Sequence, residues 1–600
     1  MKFKFTSKQA LLICIGIFIV SNALYRFRDN RVTPILTWDV FGYYLYLPAF
    51  FYDDPAKLNN IDYMLQNYNP GGFYQAGKAP NGNYIMKYSC GQAIMYLPAF
   101  VCAHLVAKIF DYPADGLSFP YQAAINFESL LVACIGLWLL RKILKKYFAD
   151  HVVAAVLIII GLASNYFQYA TFANAFTHNY LFALYGIIIL LSIQWHSSPR
   201  YSTSIALGFC CGLAALTRPT EMITVLIPLL WGVHDRASIS KKFLMLKKEW
   251  KMMVCFCIAA FLIGSIQLVY WKVYAGSWLY FSYGDNQTFS WLKPHVWNVL
   301  MSYQKGWLVY TPVMILSLIG FFPLYKNHRE HFFTVLIYIL VFFYFVSSWD
   351  SWLYGGSFSM RAMIQSYPIL AFPLASSIEW ISMRKISIAI TTIFIVVCIW
   401  LNAVMSYQAF FSWQGIMDGY NMNAKYYWRV FGKTKINIDD RKFLDTNEEL
   451  PSALQDHLKG IYFNDFEEAG FPTDSSQAFS GKHSFLLTEQ QQELPIRIPV
   501  NASEQCWYRV SAKVYPTEME WDESHQAQMV IGLWNDNTML KQKFFRIYRV
   551  ASPGSWQNIY LDINGAVTQP YDSLSVSMRN AGGKRAMYID DIQIAKVPAE

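Results

Sequence analysis

The chain has 600 residues, of which 54% are hydrophobic and only 15% charged, against about 25% charged in an ordinary soluble domain. Its mean hydropathy of +0.23 is modest for membrane spans alone, so the composition excludes a purely soluble enzyme and predicts a membrane body plus a sizeable soluble part. The net charge of +9 gives no ground for a nucleic-acid partner, because the Lys and Arg sit mostly in short loops between apolar runs, where they set topology.

The chain opens Met1-Lys2-Phe3-Lys4 and continues into an apolar run from about Ala10 to Leu24. That pattern fits a signal peptide or an uncleaved first helix. The second reading is preferred, with the N-terminus cytoplasmic, and both place the next segment outside. Arg26, Arg28 and Arg31 follow, as residues that could bind anionic headgroups. Next comes Thr37-Trp38-Asp39-Val40-Phe41-Gly42-Tyr43-Tyr44, which sets one carboxylate among aromatic and apolar residues at a membrane surface. Such an acid is a functional candidate; the plainer alternative is a helix N-cap. Asp53-Asp54-Pro55 reads as a turn or cap.

Runs long enough to span a bilayer are expected near 10–25, 120–140, 152–166, 179–195, 203–217, 220–234, 252–272, 306–325, 331–348, 362–378 and 386–408, about 11 transmembrane helices in all. The run at 92–110 either spans or lies along the surface. Basic residues cluster at 141–146 and 236–251, at Lys326 with Arg329, and at Arg384 with Lys385. These loops share one side, the cytoplasmic one, if 92–110 does not span. The long first loop 26–119, with 165–178, 218–219, 273–305 and 349–361, then lies outside, and a loop that long is usually functional.

After about 410 the character changes. The stretch 411–454 reads as a linker and 455–600 as an external β-sandwich. Ile496 and Ile498 alternate with Arg497 and Pro499; Tyr508, Val510, Ala512 and Val514 alternate with polar residues; so do Leu574, Val576 and Met578. Ser480-Gly481, Pro553-Gly554, Asn564-Gly565 and Gly582-Gly583 punctuate them. Short alternating strands with turn signals predict a sandwich. Met587 to Ile594 reads as the last strand of a jelly-roll, carbohydrate-binding-type module, with Asp590 and Asp591 in turns or on the solvent face. The ten cysteines show no CxxC pair, so no zinc or redox site is expected.

The chemistry-bearing residues map to the outer side. Besides Asp39 these are Lys87, His178, Arg218 with Glu221, and Asp350 with Tyr354 and Arg361. One carboxylate and several cations at one membrane face suit an anionic, lipid-linked substrate: Arg and Lys bind phosphate, and a carboxylate can take a proton from an attacking hydroxyl. Each also has a plain reading. Arg218 could snorkel, His178 could be a satisfied interfacial histidine, and Glu221 and Asp350 could be ion-pair partners.

Residues 1–410 resemble the GT-C glycosyltransferases, and within them the protein O-mannosyltransferase and aminoarabinose-transferase group. The resemblance rests on Trp38-Asp39 after the first span; on Lys87-Tyr88-Ser89-Cys90-Gly91 leading to Tyr96-Leu97-Pro98-Ala99-Phe100; and on Phe176-Thr177-His178. It rests further on Gly212-Leu213-Ala214-Ala215-Leu216-Thr217-Arg218-Pro219, and on Gly306 to Pro312 with Tyr354-Gly355-Gly356 and Arg361. It implies a multi-pass enzyme of the bacterial inner membrane with a periplasmic β-domain. Such an enzyme takes a sugar from a polyprenyl phosphate carrier to a lipid, glycan or protein acceptor. It further implies Asp39 as base or acceptor-positioning residue, and Lys87, Arg218 and Arg361 on the donor phosphate. His178, Glu221, Asp350 and Tyr354 are then candidate substrate contacts. The family often has Asp-Glu where this chain has Asp39-Val40, which leaves the acceptor type open. No cofactor is required; a divalent metal is allowed, without a dense carboxylate cluster to demand it. The alternatives are a transporter or flippase of a lipid-linked sugar and a non-catalytic glycan-binding scaffold.

Overall fold

A computed structural model describes residues 5–28, 33–284, 287–412, 415–468, 470–500 and 506–598; Met1 to Lys4 and Arg31 lie outside them. The chain divides into two units, Met1–Gly415 and Ile416–Glu600.

The first unit is a multi-span helical membrane body. Its helices used below are α1 (Ser7–Arg26), α2 (Trp38–Tyr44), α3 (Gly91–Ile109), α4 (Phe119–Leu144), α5 (Thr177–Ser197), α6 (Tyr201–Thr217), α7 (Trp250–Tyr274), α8 (Arg329–Ser348), α9 (Tyr367–Ile381) and α10 (Lys385–Ser406). Among the described residues seven helices are long and apolar enough to cross a membrane. Six match expected spans, and the seventh is α3, the stretch left open. The other five expected spans fold as shorter or interrupted helices. Prolines account for much of this: Pro219 and Pro228, Pro312 and Pro323, and Pro368 and Pro373 each remove a backbone donor.

α1 starts on a capping box, in which Thr6 and Gln9 satisfy each other's backbone N–H. Its first residue ties three chain segments together: Ser7 N–H donates to Asp150 at 2.9 Å, and Arg141 Nε donates to Ser7 Oγ at 2.9 Å. At the same end Lys242 meets His196, at the close of α5, and His328 lies 2.9 Å from Glu379 near the close of α9. All the basic clusters predicted to be cytoplasmic therefore gather at one end of the helical unit. At the other end Arg26 donates to the Phe172 carbonyl at 2.8 Å and Gln122 accepts from Ile35 and Leu36. Gln168 donates there to Asn402 and Ser406.

α6 and α7 run parallel in close contact. A Cβ on Gly212 would stand 2.7 Å from the Ala260 carbonyl oxygen, so the Gly208-x-x-x-Gly212 spacing is a helix-contact face. α3 lies across the second end rather than alongside the bundle. Gly91 touches Thr217 at the close of α6, while His104, thirteen residues on, bonds Tyr121 in the first turn of α4 at 2.7 Å. Asp53 accepts from the Asn59 and Asn60 amides, which is turn chemistry.

The second unit is a β-sandwich. Its strands follow the small hairpin β1 (Ala76–Lys78) and β2 (Tyr84–Met86) of the first unit. They are β3 (Lys459–Asn464), β4 (Phe485–Leu487), β5 (Glu493–Pro499), β6 (Cys506–Pro516), β7 (Gln528–Asn535), β8 (Thr538–Arg546), β9 (Gln557–Asn564), β10 (Ser573–Arg579) and β11 (Met587–Pro598). One sheet runs β5-β10-β7-β8 and the other β3-β11-β6-β9, with β4 on β11. The alternating apolar residues Leu494, Ile496, Tyr508, Val510, Ala512, Val514, Leu574, Val576 and Met578 fill the core between the sheets.

Two details of this unit differ from expectation. Asp590 is buried, not on the solvent face, and accepts from the Phe479 and Ser480 amides where β11 bulges. Residues 416–450, inside the stretch read as a linker, pack on the sandwich: Asp418 pairs with Arg549 at 2.8 Å, and the Leu450 amide donates to Asp562 at 2.9 Å.

Candidate active site

The site forms at the end of the helical unit opposite the basic loops. Asp39 lies in the first turn of α2, but Thr37 is the N-cap residue and no side chain caps the helix. The N-cap alternative for Asp39 therefore falls. Its carboxylate turns inward instead: Oδ1 accepts from Tyr74 Oη at 2.8 Å and Tyr88 Oη at 2.7 Å, and Oδ2 accepts from Arg361 Nη2 at 2.6 Å. Burial raises the Asp39 carboxyl, but the Arg361 charge and these three bonds outweigh it and hold its pKa below the ordinary aspartate value.

The backbone around these residues is strained. Trp38, Tyr354 and Ser359 have φ of 51°, 53° and 53°, uncommon for side chains of that size. Trp38 is held there because its N–H donates to Pro70 O at 2.7 Å and its indole covers Gly71, where a Cβ would meet it at 2.9 Å.

Lys87 sits among three rings, 5.2 Å from the centroid of Tyr74, 6.0 Å from Tyr88 and 5.4 Å from Tyr283. The two tyrosines that bond Asp39 thus also present their faces to the ammonium. Burial lowers the Lys87 pKa, and the Asp39 charge opposes this. Arg218 follows the last residue of α6 and stands 5.6 Å from the Tyr354 ring. Its Nη1 lies 3.4 Å from both ring nitrogens of His178. Among the described residues neither Lys87 nor Arg218 forms an ion pair, whereas Arg361 is paired with Asp39 and lies 4.9 Å over Phe176. Arg361 Nε is buried without a partner. Cations withdrawn from water and left unpaired are costly unless an anion meets them.

The remaining predicted residues divide. Tyr354 lines the group through its ring. His178 and Glu221, each 2% exposed, lie behind it: Gln365 Oε1 lies 2.8 Å from His178 Nδ1, Gln365 Nε2 donates to Glu221 at 3.0 Å, and Tyr185 caps the other Glu221 oxygen. Among the described residues Glu221 forms no ion pair. Asp350 is not brought to this group. It accepts from Thr288 and Ser290 and fastens the stretch after α7 to the loop after α8; among the described residues it forms no ion pair.

Sequence reasoning missed Tyr74, Tyr88, Tyr283, Gln365 and Lys305, the last buried and 3.4 Å from Ser357. Only Tyr88, beside Lys87, carried a local signal. Among the described residues no group of three or more His, Cys, Asp or Glu could hold a metal ion. Both oxygens of Asp39 are engaged by protein donors.

No protein-family model and no curated protein sequence matches the chain. Among solved structures, the arabinosyltransferase EmbB from Mycobacterium smegmatis is 12% identical over 100% of this chain and 65% of its own, with a TM-score of 0.32. The chain thus spans just under two thirds of EmbB's length. A family 16 carbohydrate-binding module is 14% identical over 20% of this chain and 82% of its own, with a TM-score of 0.16. A Stig cyclase from Fischerella sp. TAU is 9% identical over 21% and 68%, with a TM-score of 0.17. At scores this low, the geometry of the site is what bears on function.

Proposed function

We infer that the chain is an integral membrane glycosyltransferase of the GT-C type, working at the external face of a bacterial inner membrane. It moves a sugar from a polyprenyl phosphate carrier to a lipid, glycan or protein acceptor. The observation that carries this reading is the convergence of Asp39 with Lys87, Arg218 and Arg361. Two of these cations lack a carboxylate partner, at the end of the bundle opposite the basic loops. By the positive-inside bias that end is external, with the N-terminus cytoplasmic and the β-domain external.

In this scheme the donor phosphate lies against Lys87 and Arg218. The acceptor oxygen bonds to the anomeric carbon from the face opposite the phosphate, and the carbon–oxygen bond to phosphate breaks. The acceptor proton passes to Asp39. The leaving phosphate gains negative charge, which the cations stabilise more in the transition state than in the ground state. Arg361 has a double place, since its bond to Asp39 keeps the carboxylate ionised and aimed. Tyr74 and Tyr88 fix the same carboxylate from the other oxygen.

A transporter should carry its charges near mid-membrane, whereas this group lies at one end of the helices. The test is transfer from a panel of radiolabelled polyprenyl-phosphate sugars to acceptors in a membrane extract, using full-length protein in nanodiscs, with and without chelator. Label moved to an acceptor supports the enzyme and names the sugar. Donor crossing the membrane of a proteoliposome unchanged would overturn it in favour of transport.

A further inference from the structure

Gln365 is buried at 1% exposure one turn beyond Arg361, and its amide joins three segments of the site. Its Nε2 donates to Glu221, which belongs to the segment carrying Arg218. An ionised Glu221 can only accept, so with Glu221 as carboxylate a reversed amide would set oxygen against oxygen. Oε1 must then face His178 and can only accept. His178 therefore carries its proton on Nδ1 and a bare lone pair on Nε2, with Arg218 Nη1 3.4 Å from both ring nitrogens.

We propose that Gln365 is a positioning residue: it holds His178 as the neutral Nδ1–H tautomer, which gives Arg218 a neutral neighbour that orients the guanidinium without consuming its charge. The contrast with Arg361 is direct, because Arg361 is oriented by a carboxylate and shares its charge with it. The charged and titratable groups facing His178 are Arg218, Arg361 and the Tyr169 ring, with Glu221 reached through Gln365. An imidazolium would set a third positive charge beside two guanidinium groups, so the neutral ring is the form that lets Arg218 stay in place.

The proposal rests on the donor-phosphate reading of Arg218, and its test separates the two. Magic-angle-spinning 15N spectra of histidine-labelled full-length protein in proteoliposomes report the tautomer directly; His178→Asn identifies the resonance. Wild type should show protonated Nδ1 and bare Nε2. Gln365→Leu should lose that fixed tautomer and weaken binding of a polyprenyl monophosphate about 10-fold, the loss of one hydrogen bond near a charged group. In the transfer assay kcat/KM for donor should fall, with part of the loss in kcat, because Arg218 is assigned to charge that grows in the transition state. Protonated Nε2 in wild type overturns the proposal and needs no variant to fold. Unchanged tautomer and affinity in Gln365→Leu overturn it as well. The expected tautomer in a wild type that binds no polyprenyl phosphate would instead overturn the donor reading and the role assigned to Arg218.

Discussion

Three arginines of the sandwich unit and two cations of the helical unit, Lys87 and Arg218, meet opposite kinds of partner. In the sandwich unit Arg549 is 4% exposed and meets Asp418, Asp445 and Glu523. Arg509 grips Asp562 through two nitrogens at 2.7 and 3.0 Å, and Arg546 pairs with Asp445. Each of these three arginines has its counter-charge within the fold, whereas the buried Lys442 lies over the Tyr560 ring. In the helical unit Arg218 and Lys87 face tyrosine rings and a histidine instead. A buried charge saturated by carboxylates has finished its work when the protein folds. Lys87 and Arg218, beside the Asp39–Arg361 pair, face rings and neutral nitrogens and leave their charge open to an anion. This contrast between saturated and open cations is the one the proposed function uses.

The largest effect that could break the contrast is at Asp39. Asp39→Asn keeps the shape and removes the base, so transfer should fall about 10²–10⁴-fold while polyprenyl phosphate still binds, read by radiolabel transfer beside a binding isotherm. Equal transfer by both proteins would end its assignment as base.

Removing Arg549 is the matching test in the other unit. Arg549→Leu leaves Asp418 without its cation, takes one of two from Asp445 and part of Glu523's, and should cost the sandwich about 3–5 kcal/mol, read as a lower thermal transition of the full-length protein. Arg218→Leu leaves no carboxylate orphaned and should not lower that transition. Donor affinity in Arg218→Leu should instead weaken about 10–100-fold, the worth of hydrogen bonds to a charged group, read by titration with polyprenyl phosphate. If Arg218→Leu behaved like Arg549→Leu, the distinction would collapse.

Gly212→Leu probes the helix contact beneath the site. Its side chain would press on the Ala260 carbonyl and should destabilise by about 1–3 kcal/mol, read in the same melting experiment.

The smallest expected effect is in pH. Asp39 is held below its ordinary value by Arg361 and the two tyrosines. A carboxyl lowered in the folded state contributes stability above its unfolded pKa, near 3.9, and loses it as pH falls through the lower folded value. The acid limb of kcat/KM should therefore lie below about pH 4, and Arg361→Gln should move it upward in the residual activity. A limb unmoved by Arg361→Gln would show that the pair does not control the carboxylate.

Much of this was legible locally. The period-2 runs at 494–498, 508–514 and 574–578 are strands whose apolar residues enter the core, because alternation along a strand maps directly onto the two faces of a sheet. The charge bias of the loops placed Lys87, Arg218 and Arg361 with Asp39 at one end of the helices, and the fold brings these four together. Asp350 lies at that same end but away from them, since hydropathy gives depth along a helix and not position around the bundle. Tyr74 and Tyr283 carried no signal in loops where aromatic residues are common.

By itself, the sequence determined six of the seven long apolar helices and the alternating strands of the sandwich. Helix and strand follow from hydropathy within windows of about twenty residues. Only the tertiary structure decided which charges are answered. Asp39 and Arg361 are 322 residues apart in the chain, and no local window holds both. Whether a cation is paired depends on which distant segment packs against it, and that is settled only when the helices close around the site.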